Sequence, residues 1–244
     1  MSKTAKALIV AACLILLGAV IGGIGFFYGG WDTLTENYGP DAVENSQSWS
    51  EPAQKLEIST VSDNVLLRPS EDGKVRVDWK DTRYGYYEVS LERDTLEITY
   101  RDTEQKPHFN FGEEEPRTVA VYLPESSYES LLLTTVSGHA ASSGFSFDRT
   151  EITATSGQVG LGNGSFGEAK INTTSGDVVL DGYDATTTEI TTTSGDVIGT
   201  VAAPKLFYAE SVSGTAEYPV NDYSTGNFTV HTISGDVKLS YDFE

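Results

Sequence analysis

Residues 171–199 read INTTSGDVVLDGYDATTTEITTTSGDVIG, and one pattern occurs in them twice. Ile171 and Ile190 stand 19 residues apart, and a threonine-containing stretch and the tetrapeptide Ser-Gly-Asp-Val follow each of them. Because apolar, polar and turn-forming residues return at the same offsets, the segment predicts two copies of one structural unit.

The same unit recurs along the second half of the chain. The Ser-Gly pairs begin, at steps of 19, 19, 19, 19 and 21 residues, at Ser137, Ser156, Ser175, Ser194, Ser213 and Ser234. Four positions before each serine stands Leu133, Ile152, Ile171, Ile190, Ala209 or Val230. Three positions after it stands Ala140, Val159, Val178, Val197, Ala216 or Val237. The sequence therefore contains two apolar columns with one period.

Each unit is typical of a strand, a tight Ser-Gly turn and a second strand. We expect the turn glycines to adopt positive φ, which glycine tolerates. A single unit cannot bury both apolar rows, so successive units should stack about 4.8 Å apart in chain order. The sequence predicts an all-β fold, a β-solenoid or stacked β-repeat sheet with 19-residue repeats, preceded by one transmembrane helix.

The rest of the chain divides by composition. Residues 130–244 are the regular repeats, and residues 56–124 are predicted to form an N-terminal β cap in which Leu56–Val65 is a degenerate first copy. The last repeat should cap the other end, which makes 56–244 one extracytoplasmic domain. Residues 31–55, rich in Asn, Ser, Asp and Glu, predict a polar tether.

Residues 7–28 contain no charged side chain, and as a helix they would extend about 33 Å, enough to cross a bilayer. Lys3 and Lys6 precede them, which favours a cytoplasmic N-terminus. Residues 1–30 are thus predicted to be a cytoplasmic tip and membrane anchor. A cleaved signal peptide, or a lipoprotein modified at Cys13, fits less well because the apolar run is long and continues past the cysteine.

The part after Tyr28 carries all 36 acidic residues and 14 of the 16 basic ones, a formal charge of 14 − 36 = −22. This charge argues against a nucleic-acid partner and favours solubility outside the cell. Cys13 is the only cysteine, so the outer domain has no disulfide and no cysteine ligand for zinc.

The sequence resembles the bacterial toastrack family, also named as adhesins. The resemblance rests on the strand end 119–124 (VAVYLP) and on full Ser-Gly-Asp-Val turns at 175–178, 194–197 and 234–237. It implies a β-repeat fold and an envelope role behind a membrane helix, as in Lia-type envelope-stress proteins of Gram-positive bacteria. It implies no catalytic residues.

Candidate chemistry is sparse. Asp177 and Asp196 follow turns in adjacent units and are the candidates for a calcium site, although each carboxylate could instead accept a hydrogen bond from its own turn. The column appears only two carboxylates long, because Thr215 follows Asp196 in chain order. We therefore predict no metal site and no cofactor.

The sequence also lacks a clear motif for a catalytic site. The turn serines are too many to single out a nucleophile, and His108, His139 and His231 have no motif around them. We predict no catalytic residue. A cluster of aromatic residues is either a binding platform or core, and its members are Trp79, Tyr84, Tyr86 and Tyr87.

Two functions fit these observations. In the first, the chain is a non-enzymatic interaction or sensor-scaffold module that binds another envelope protein. We expect it to be anchored in the cell membrane of a Gram-positive bacterium through residues 7–28. The alternative is a surface adhesin or glycan-binding protein.

Overall fold

The computed structural model describes residues 42–82, 84–103, 117–220 and 225–242. All regular structure in them is β-strand, as predicted, and none of it is a helix long and apolar enough to cross a membrane. The predicted anchor at 7–28 and the part of the predicted tether before residue 42 lie outside the described residues.

Eighteen strands follow one another in the described residues. They are β1 (Val43–Trp49), β2 (Lys55–Ser59), β3 (Asn64–Pro69), β4 (Val75–Asp81), β5 (Gly85–Glu92), β6 (Thr95–Asp102), β7 (Thr118–Leu123), β8 (Ser127–Thr135), β9 (Ala140–Ser143), β10 (Ser146–Ala154), β11 (Val159–Gly162), β12 (Ser165–Thr173), β13 (Val178–Thr192), β14 (Val197–Val201), β15 (Leu206–Ser211), β16 (Ala216–Glu217), β17 (Asn227–Thr232) and β18 (Val237–Tyr241).

The strands form a solenoid with two sheet faces. The front sheet has the order β5-β6-β2-β8-β10-β12-β13-β17-β15. The back sheet has the order β1-β4-β7-β3-β9-β11-β13-β14-β18-β16. Each of the six regular coils is one front strand, a Ser-Gly turn and one back strand. β13 is long enough to serve both sheets.

The predicted stacking register is confirmed in the middle of the solenoid. Ile171 pairs with Ile152 on one side and with Ile190 on the other. Val178 lies in the same way between Val159 and Val197. These side chains are at most 1% exposed, so the two columns belong to the core of the domain.

The predicted order of the last two coils is wrong. β13 pairs with β17 and not with β15, so the coil of β17 and β18 is inserted inside the stack and the coil of β15 and β16 ends it. The reason is apolar content. The inserted coil buries Phe228, Val230 and Val237, whereas the terminal coil offers only Ala209 and Ala216 at the column positions.

The first copy at Leu56–Val65 is present, and Ile58 pairs with Leu133 of the first regular coil. The coil of β6 and β7 stacks outside it, and the antiparallel strands β5, β4 and β1 cover that end. β1 corrects the predicted tether of residues 31–55, because Val43–Trp49 pairs with β4. Both faces of this edge strand are largely exposed and carry polar residues, so its composition resembles that of a linker. At its end, Trp49 packs against the core.

The positive φ predicted for the Ser-Gly turns is also wrong. Among the described glycines, positive φ occurs only at four positions outside the six turns. The turn glycines are required by close approach instead: a Cβ at Gly157 would lie 1.8 Å from the carbonyl oxygen of Gly138, and one at Gly176 would lie 1.9 Å from that of Gly157. In the degenerate first copy, Asp63 takes the place of a turn glycine, because a Cβ at Gly138 would meet the carbonyl oxygen of Asp63.

Candidate functional site

The aspartates singled out from the sequence form part of a hydrogen-bonded column between coils. The amide of Asp196 donates to Oδ1 of Asp177 at 2.9 Å, and the amide of Asp236 donates to Oδ1 of Asp196 at 2.7 Å. Asp236 in turn accepts from the amide of Thr215 at 2.8 Å. The donor thus belongs to the next coil and not to the residue's own turn, which corrects our prediction.

The exchange of the last two coils makes this column three carboxylates long, because Asp236 and not Thr215 follows Asp196. The amide of Thr215, then the Lys238 ammonium at 3.2 Å, lower the pKa of Asp236. The described residues contain no group of three or more acidic, histidine or cysteine side chains that could hold a metal. The prediction of no metal site, with Asp177 and Asp196 as the calcium candidates, stays a prediction.

A groove that the sequence did not reveal lies on the outer face of the back sheet. It has a volume of about 610 Å³, within the range of small-molecule sites. It is built on β1, β4, β7 and β3. Its lining consists of Glu44, Asn45, Ser46, Leu66, Arg68, Arg76, Asp78, Trp79, Lys80, Thr118, Ala120 and Tyr122.

The groove reverses the sign of the domain's charge. Its three basic and two acidic side chains leave one net positive charge, whereas the chain after Tyr28 carries −22. Lys80 pairs with Glu44 at 2.9 Å and lowers the pKa of that carboxyl, and Nε of Arg76 lies 3.4 Å from Asp78. No carboxylate of the described residues pairs with Arg68.

The other unusual surface is the open end of the stack, formed by β15 and β16. Among the described residues, β15 pairs in register with β17 alone, and no strand lies in register on its other side. Leu206, Tyr208 and Val212 are 58%, 56% and 72% exposed. The inward residues Phe207 and Ala209 are only partly buried, so the core itself reaches the surface there.

The sequence profile of the family called Toastrack DUF4097 matches residues 53–244. The chain belongs to the Toastrack DUF4097 family. The match begins close to β2 and covers all the coils and the cap strands β4 and β5, but not β1.

Several solved structures are similar to this toastrack chain. One is a Bacteroides fragilis protein described as a putative adhesin, with 15% identity over 81% of this chain and 97% of that one, at a TM-score of 0.48. Another is a Clostridium sporogenes protein described as a putative cell adhesion protein, with 12% identity over 82% and 99% of the two chains, at a TM-score of 0.38. No curated protein matches the chain.

The toastrack domain does not gather its aromatic residues into one platform. Tyr87 points inward, is 5% exposed, and donates its hydroxyl to Oδ2 of Asp63 at 2.8 Å. Arg117 contacts the other oxygen of Asp63 at 2.8 Å. Burial, and then the Asp63 charge, raise the pKa of Tyr87. Trp79 packs against the core, so this cluster fastens the cap to the stack.

The histidines of the toastrack domain are placed apart. His139 lies in the same column as the aspartates, and its Nδ1 accepts the amide hydrogen of Gln158 at 3.0 Å. His231 lies on the front sheet with Nδ1 4.0 Å from Glu210. His108 lies outside the described residues. The hydrogen bond of His139 is therefore with the backbone of the next coil and not with the hydroxyl of a candidate nucleophilic serine.

Proposed function

We propose that this toastrack protein is a non-enzymatic interaction module of the cell envelope, whose open stack end binds an extended segment of another envelope protein. The observation that supports it is the unpaired edge of β15 beside exposed apolar side chains. Both the family and the all-β solenoid point to a non-enzymatic fold. The resemblance to Lia-type proteins suggests envelope stress as the setting.

The geometry of β15 supports strand addition. The amide of Leu206 donates to Gly226 at 2.8 Å and that of Val212 to Thr232 at 3.2 Å, so the even-numbered residues bond to β17. Because a strand alternates its bonding direction, the N–H and C=O groups of residues 207, 209 and 211 point to the open edge. An incoming strand would satisfy them and cover Phe207, while its side chains meet Tyr208.

We expect Ala209→Pro to abolish partner binding without unfolding the domain. Proline removes an edge N–H that has no partner in β17, and an edge strand tolerates it. In full-length protein in membranes, a photo-crosslinking amino acid at position 208 should form an adduct, and Ala209→Pro should remove it. Unchanged adducts, or equal adducts from a probe at Thr153 on the front sheet, would contradict the proposal. Tyr208→Pro, compared with Ala209→Pro in thermal melts without the crosslinker, is the control for folding. It removes an N–H bonded to β17 and should lower the melting temperature, whereas Ala209→Pro should not.

The same proposal places the domain outside the cytoplasm of a Gram-positive bacterium, anchored by residues 7–28. The uncharged run and the two preceding lysines support it. In a Cys13→Ala background, Ser194→Cys should react with a membrane-impermeant maleimide on intact cells, because its turn is exposed. Ser2→Cys should react only after lysis. Labelling of Ser194→Cys only after lysis would exclude this topology.

A surface adhesin or glycan-binding role is the second candidate. The basic groove favours it, because that groove lies at the capped end of the stack, on surface that an occupied open end would leave free.

A further inference from the structure

Resting on the glycan-binding role named above as the second candidate, we propose that the groove on β1, β4, β7 and β3 is a binding site for an acidic glycan, a sugar chain that carries carboxylate or phosphate groups. The site is independent of the open stack end, which lies at the opposite end of both sheets. Its ligand chemistry follows from the positions of the basic side chains, the state of Arg76 and the polar groups beside them.

The basic side chains are arranged around one aromatic ring. Tyr122 pairs with Arg68 on one neighbouring strand and with Arg76 on the other. With strands about 4.8 Å apart, the two arginines lie about 10 Å apart along the sheet and flank the ring. This spacing suits two anionic groups on one ligand, or one group reached from both sides.

Arg76 is held in place before any ligand binds. Its guanidinium carbon lies 3.9 Å from the centroid of the Tyr122 ring, a cation–π contact. Its Nε is buried and has no hydrogen-bond partner, although Asp78 lies nearby. Among the described residues no hydrogen bond or ion pair engages its terminal nitrogens, so these donors are left for a ligand. A fixed planar guanidinium matches a carboxylate or phosphate with two hydrogen bonds.

The remaining lining suits the hydroxyl groups of a sugar. Asn45 and Ser46 donate their side-chain hydrogens to Asp81 at 2.7 Å and to Asp78 at 2.6 Å, so their oxygens are left to accept hydrogen bonds from sugar hydroxyls. The short or apolar side chains of Ala120 and Leu66 leave room above the sheet. A volume of about 610 Å³ accommodates a few sugar residues, and a groove on a sheet face admits a chain from its middle.

The surrounding charge predicts an unusual salt dependence. At physiological ionic strength, the electrostatic field of a charged group is screened within about 8 Å. The acidic surface of the domain therefore repels a polyanion at a distance only when the salt concentration is low, whereas the basic side chains of the groove attract it at contact at either salt concentration. Moderate salt should therefore not weaken binding steeply, in contrast to a polybasic surface. Retained affinity between 20 and about 150 mM salt would distinguish the two.

Calorimetric titration of the full-length protein in detergent tests the proposal. A galacturonic acid oligomer should bind, a neutral galactose oligomer of equal length should bind at least about tenfold more weakly, and inorganic phosphate should compete. Arg76→Gln and Arg68→Gln should each reduce affinity about tenfold, because each removes charge-assisted hydrogen bonds. Arg149→Gln is the control: Arg149 lies on the front sheet, paired with Glu168 at 3.1 Å, and its loss should change affinity less than about twofold.

Several results would overturn the assignment. Equal binding of the neutral oligomer, equal loss in Arg149→Gln, or no binding of the acidic oligomer would each exclude it. Binding to phosphatidylglycerol vesicles but not to the oligomer would assign the groove to lipid headgroups instead. Thermal melts show that each variant is folded, and Ala209→Pro should bind the oligomer normally, which separates this site from the open end.

Discussion

Gly176→Ala should destabilise the domain by about 3 kcal/mol or more, although alanine is the smallest possible change. An added Cβ would lie 1.9 Å from the carbonyl oxygen of Gly157, and that oxygen belongs to backbone held by the inter-coil ladder. Neither coil can move away without breaking hydrogen bonds over its whole length. Urea-induced unfolding followed by circular dichroism measures the effect.

Gly160→Ala is the matched control. Gly160 lies on the outer side of β11, its φ is not positive, and an added Cβ would come no closer than 3.9 Å to any atom. Alanine there should change the free energy of unfolding by less than about 1 kcal/mol and is expected to stabilise slightly, because it restricts the unfolded chain. If the two variants melt alike, close approach is not the reason for glycine in the turns.

Ile171→Ala should cost about 2–5 kcal/mol. The side chain is fully buried between Ile152 and Ile190, and neighbouring coils fixed by backbone hydrogen bonds cannot collapse into the cavity. Because the loss comes from burial, it should appear as a lower urea midpoint with little change in the slope of the transition.

Lys170→Ala, one residue away, tests the register. Lys170 is exposed on the outer face of β12 between Glu151 and Glu189, so its loss should stay within about 0.5 kcal/mol. A slip of one residue would exchange the two outcomes, because side chains alternate between faces. An Ile171→Ala variant as stable as Lys170→Ala would be incompatible with this register.

Much of the fold follows from local pattern. The 19-residue period, the Ile and Val columns and the degenerate copy at Leu56–Val65 were all predictable, because identical rows can be buried only by stacking in register. The turn positions were predictable too. The physical reason for glycine at these turns was not predictable. A glycine required by the close approach of a neighbouring coil cannot be distinguished in the sequence from one required by its own positive φ.

The candidate surfaces were less predictable. Arg68, Arg76 and Tyr122 come from three segments, and each alone is an ordinary outward residue of an alternating strand. Only the pairing of β3 and β4 with β7 makes them neighbours. β1 was missed for a related reason: an edge strand buries almost nothing, so its composition carries no period.

The sequence by itself determined the repeat, the inward columns and the acidity of the domain, because these depend on spacing and composition. Tertiary structure alone decided the order of the coils. Any coil can pair with any other in the same register, so chain order does not specify neighbours. The coil with Phe228 and Val230 is stable inside the stack, and the coil with Ala209 is left at the end. The physical reason is burial free energy: a coil with neighbours on both sides buries more apolar surface, so the coil with the larger apolar side chains is stabilised more inside the stack. This coil order extends the aspartate column to Asp236 and leaves the edge of β15 exposed.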